Sequence, residues 1–74
     1  MEYIVIVHTA KEGGYWVEVP ALSGCFSQGE TIDEALANVR EAIELHIEGL
    51  KAEGQEIPQD RGLVIGRVEV SEVP

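Results

Sequence analysis

The chain has 74 residues, 45% of them hydrophobic, and its fourteen acidic and five basic side chains leave a net charge of −9. That length suits one small domain, which buries only ~60% of its unfolded surface and gains from self-association, and the composition is that of a folded chain. The acidity argues against direct nucleic-acid binding and for a basic protein partner. A single cysteine, Cys25, supports neither an internal disulfide nor a cysteine metal site and suits a reducing compartment. The longest apolar run, residues 4–7, is too short to span a bilayer, and no basic-then-apolar leader opens the chain. A cytoplasmic protein without membrane contact is expected.

Residues 2–9, EYIVIVHT, are β-branched and aromatic without a helical period, which predicts a strand. Ile4 and Ile6 face one way and Tyr3, Val5 and Val7 the other, so both faces are apolar and a central position is expected. KEGG at 11–14 makes a turn, and a second strand follows over 15–19, with Tyr15, Val17 and Val19 on one face and Trp16 and Glu18 on the other. Pro20 ends the pairing, and 25–30 has room for a brief third strand at an edge. Thr31 and Glu34 then form an S/T-x-x-E capping box, with Asp33 and Glu34 at the positive end of the helix dipole. Ile32, Leu36, Val39, Ile43, Ile47 and Leu50 recur at helical spacing, and Lys51 and Gly54 mark the stop of a helix of about six turns.

The segment QEIPQDRG reads as a loop, and LVIGRVEV at 63–70 as a last strand. Following strand directions, this strand lies parallel to the first through the helical crossover. The expected fold is α+β: a two-layer, four-stranded mixed sheet of order 3-2-1-4, in the sequence β-β-β-α-β, with one helix on one face.

One helix covers one sheet face only. Ile4, Ile6, Trp16, Leu63 and Ile65 fall on the other, which predicts self-association through them. Chemistry has little to work with. His8 and His46 lack carboxylate or cysteine partners at ligand spacing. Ser23, Ser27 and Ser71 lack a nucleophile context, and Gly13-Gly14 lacks the helix and lysine of a phosphate loop. No catalytic residue, metal or cofactor is therefore expected, and an enzyme using Cys25 or His8 is the least favoured reading. The helix instead carries Glu34, Glu41 and Glu48 at intervals of seven, with Glu44 beside them and Leu45 exposed among them. With Trp16 as an aromatic anchor, these form the candidate partner-binding set.

The stretch GGYWVEVPALSGCFSQGETIDEALANVREAIELHIEGL, followed by Ile57-Pro58, resembles the N-terminal domain of the HicB family of antitoxins. That family reads G-G-Y-x-V-x-V-P-x-L-x-G-C-x-(S/T)-Q-G-(D/E)-T-x-x-E-A-L-x-N. It is matched here by Gly13, Gly14, Tyr15, Val17, Val19, Pro20, Leu22, Gly24, Cys25, Ser27, Gln28, Gly29, Glu30, Thr31, Glu34, Ala35, Leu36 and Asn38. The resemblance implies a degraded ribonuclease-H-like fold and a single HicB-like domain over 1–74. It also implies a HicA-type partner, a small basic ribonuclease toxin that is neutralised when its active site is covered. Full-length members add a C-terminal DNA-binding domain, with which they repress their own operon; the resemblance covers the N-terminal domain alone. The alternative is a stand-alone oligomeric regulator or scaffold without a toxin.

Overall fold

The computed structural model of the chain describes residues 1–72. Strand β1 spans Ile6–Thr9, β2 Tyr15–Glu18 and β3 Phe26–Gly29, and helix α1 spans Ile32–Ala52. The strands form a three-stranded sheet of order β1-β2-β3, with both pairs antiparallel. The first hairpin closes through Ala10 N–H to Gly14 O and Gly13 N–H to Ala10 O, each 3.1 Å. This turn needs Gly13 and Gly14 at φ +99° and +77°, a region costly for side chains with a Cβ. Pairing then sets Val7 opposite Val17 and His8 opposite Trp16. The second connection folds Leu22 inward, with Leu22 N–H on Val19 O at 3.0 Å and Cys25 N–H on Leu22 O at 3.1 Å.

The core is Val17, Val19, Leu22, Cys25, Ala35 and Val39, flanked by Tyr3, Val5, Tyr15, Ala42 and Ile43. It lies between one sheet face and α1, in the two-layer α+β arrangement expected. The helix starts as its sequence predicts: Thr31 is extended and its Oγ1 accepts from Glu34 N–H at 3.1 Å. The Glu34 carboxylate reaches back to the N–H of Glu30, one residue earlier than a standard capping box, at 3.2 Å. At the far end Gln55 N–H bonds Leu50 O at 2.9 Å and Gly54 N–H bonds Lys51 O at 3.0 Å, a Schellman motif with Gly54 left-handed.

Three expectations need correction. The helix packs on β3 and β2 and barely on β1. Its buried line therefore runs through Ala35 and Val39, while Ile32 and Leu36, placed in the apolar stripe, stand exposed at one side. The first strand begins only at Ile6 and lies at an edge of the sheet, not at its centre.

Among the described residues, 63–70 pair with no strand, so the sheet is three-stranded and antiparallel, not four-stranded and mixed. The crossover does return to the β1 side: Tyr3 OH donates to Pro58 O at 2.6 Å, and Ile4 N–H donates to the Asp60 carboxylate. The other Asp60 oxygen accepts from Gly62 N–H at 2.7 Å, and Gly62 itself is left-handed, at φ +90°.

Candidate functional site

The hairpin register builds a side-chain grid on the sheet face that α1 leaves bare. His8, Trp16 and Gln28 form one row across the strands, and Ile6, Glu18 and Phe26 the next. The rings of His8 and Trp16 stack with centroids 4.0 Å apart and planes 12° from parallel. His8 Nε2 also lies 2.7 Å from Glu18 Oε2. Both side chains of that pair are more than one third exposed, so it contributes little to stability. The pair and the stack together place the imidazole between Glu18 and the indole on an open surface. Phe26, 66% exposed, completes a small aromatic patch.

Trp16 belongs to this patch. Glu41, Glu44, Leu45 and Glu48 are all exposed on the helix, in the other layer of the fold. Glu34 is shared between two roles, since it caps α1 and also borders, with Trp16, Gln28 and Asn38, a shallow hollow at the β3 edge. The six residues grouped from the sequence thus fall on two surfaces. Of the five apolar residues assigned to the uncovered face, Ile4 and Leu63 line one hollow with Pro20 at the end of the sheet. Ile6 and Trp16 lie on the sheet face itself, and Ile65 stands apart in the segment that leaves the sheet.

Sequence reasoning missed Phe26 and the His8–Trp16–Glu18 cluster. The signal was there: folding the hairpin about 11–14 sets His8 opposite Trp16 and diagonal to Glu18, and Phe26 then shares their face.

Chemistry-bearing groups are otherwise quiet. Cys25 is buried, and desolvation pushes its thiol pKa up, which keeps it in the weakly nucleophilic neutral form. Among the described residues no group of three or more His, Cys, Asp or Glu side chains converges on a metal position. No described helix is long and apolar enough to cross a membrane.

Several residues of the HicB-like pattern build this frame. Gly29 lies so close to α1 that a Cβ there would sit 2.5 Å from Ala35 N, and a Cβ on Gly14 would sit 2.9 Å from Gly29 O. Asn38 Nδ2 donates to Gln28 O at 2.8 Å, tying helix to strand. Thr31 and Glu34 cap the helix, and Leu22 and Cys25 fill the core.

One solved structure has a similar fold, and two relatives have similar sequences. The chain is similar to the crystal structure of the N-terminal domain of Burkholderia pseudomallei antitoxin HicB, with TM-score 0.75 and 40% identity, over 85% of this chain and 74% of that one. A UPF0150 protein of Thermoplasma acidophilum is 52% identical over 60 residues, 81% of this chain and 87% of that protein. A UPF0150 protein of Synechocystis is 48% identical over 58 residues, 78% of this chain and 73% of that protein. Residues 3–68 match the family described as the HicB-like antitoxin of bacterial toxin-antitoxin systems. The chain belongs to the HicB-like antitoxin family.

Proposed function

We propose that residues 1–74 act as a single antitoxin module in the cytoplasm, working as a binding protein and not as an enzyme. The module binds a small basic ribonuclease toxin of HicA type and neutralises it by covering its active site, as a homo-oligomer and without contacting nucleic acid itself. The strand order and single helix support reading the fold as a degraded ribonuclease-H-like one.

The observation that carries the reading is the line of Glu41, Glu44 and Glu48 on α1. These carboxylates are exposed, and among the described residues no cation lies within salt-bridge distance of them. Glu44 and Glu48 stand four apart and repel each other mildly, a cost that a cationic partner relieves. With a net charge of −9, the chain also steers a basic protein toward itself at low ionic strength.

The test uses the product of an adjacent reading frame of similar size and basic charge, with association rates measured across a salt series and RNA cleavage as the activity readout. Wild-type chain suppresses cleavage, and its on-rate falls as salt rises. Glu41→Lys with Glu48→Lys slows association several-fold at low salt and flattens the salt dependence. Unchanged on-rates across the series refute the acidic-face reading. Trp16→Ala, read as the off-rate, reports whether the aromatic patch of the other layer takes part.

A further inference from the structure

Strand β1 has an open side. The Ala10–Gly14 bond, continued by alternation, makes Ile6 and His8 the residues that bond to β2, so Val7 and Thr9 turn their N–H and C=O groups outward. Among the described residues nothing bonds to these groups. On the opposite edge α1 packs against β3, and one outward group is taken, since Gln28 O, which faces away from β2, accepts from Asn38 Nδ2 at 2.8 Å. Beside the open edge runs an apolar groove. It lies between Tyr3 and Val5 on the sheet side and Leu36, Ile43 and Ile47 on the helix, and it exists because α1 sits over β2 and β3. An unpaired edge next to an apolar groove is a seat for one more strand.

The same chain carries an unpaired strand former. In LVIGRVEV, Val64, Val68 and Val70 share one side of the extended backbone and are 95%, 85% and 80% exposed. The arm follows the left-handed Gly62 and, among the described residues, pairs with no strand of its own chain. The radius of gyration is accordingly 15.3 Å, where a compact chain of this length would have about 11 Å.

Charge distinguishes the arm from the body. Residues 61–74 hold two arginines and two glutamates, so the whole net charge of −9 resides in residues 1–60. From 61 to 68 there are two arginines, Arg61 and Arg67, and no acid. The arm is therefore the segment that a second acidic copy repels least.

We infer that two copies exchange these arms, residues 63–70 of each pairing along the open β1 edge of the other, with Val64, Val68 and Val70 entering the groove beside Leu36, Ile43 and Ile47. Arm and edge occur once per chain, so reciprocal exchange satisfies both in a closed dimer. The inference is independent of toxin binding, and its test uses no toxin.

Sedimentation equilibrium of the full chain gives twice the 8.1 kDa of one copy. Val7→Pro removes an outward N–H without touching the β2 pairing and so blocks the edge; Val64→Asp with Val68→Asp disables the arm. Each variant alone sediments as a monomer with its helical circular dichroism retained. Their mixture forms a one-armed dimer, because one variant keeps a working arm and the other a working edge.

In wild-type protein mixed from labelled and unlabelled copies, isotope-filtered NMR shows contacts between the Val64 and Val68 methyls of one copy and the Leu36 and Ile43 methyls of the other. That measurement needs no variant to fold. A monomeric wild-type chain, a dimer that survives in both variants, a folded mixture that stays monomeric, or arm contacts confined within one copy each overturn the inference.

Discussion

Replacing Gly29 by Ala adds one methyl group at the place where β3 meets the start of α1. The added Cβ would lie 2.5 Å from Ala35 N, 2.9 Å from Ala35 Cα and 2.9 Å from the Glu34 carbonyl carbon. All three are backbone atoms of a capped helix turn, so no side chain can swing aside, and the first turn of α1 has to lift off the sheet. Overpacking of this kind costs typically about 1–3 kcal/mol. A central value of about 2 kcal/mol lowers the melting temperature of so small a domain by roughly 8–16 °C.

Gly49 supplies the control: it lies in the same helix with open space around its Cβ position and no positive φ. Gly49→Ala removes a helix-interior glycine and stabilises by about 0.5–1 kcal/mol. Thermal denaturation followed by far-UV circular dichroism therefore gives shifts of opposite sign for two chemically identical substitutions. A Gly29→Ala melting temperature equal to or above that of wild type refutes the close-approach argument and with it the structural account of the Q-G-E-T signature.

Thr31→Ala removes the acceptor for Glu34 N–H, and urea titration should register a loss of about 1 kcal/mol; an unchanged midpoint denies the cap. Cys25 gives a pH-dependent signature. Burial holds its folded pKa above the unfolded value, so the unfolded chain releases the proton first. This group's contribution is full at neutral pH and is lost as pH rises above the ordinary cysteine range, a decline that Cys25→Ala removes. Alkylation of native Cys25 at neutral pH is also slow and accelerates on denaturation; equal rates in both states contradict the buried, neutral thiol.

Much of the frame was legible because its causes are local. Turn glycines, the Thr31 cap, the Gly54 stop and period-2 alternation across the hairpin all act over a few residues, and the antiparallel order of the first three strands follows from connections too short for any other pairing. Phe26 was legible in principle, since register is arithmetic once a hairpin is granted, but its face depends on where β3 starts. The acidic helix line was legible from spacing alone, whereas its separation from Trp16 was not, because spacing along a chain does not say which layer a residue joins.

By itself, the sequence determined the hairpin and the third strand, the capped helix, the acidic surface and the family signature, all of which rest on local conformational preference and composition. The tertiary structure decided how far α1 reaches across the sheet, and with that which of its apolar residues are buried. It also decided that β1 is an edge and that 63–70 leave the sheet. The segment 63–70 has the pattern of a strand in any setting, yet a strand is completed only by a neighbour's hydrogen-bonding groups, and which neighbour is in reach is a tertiary property.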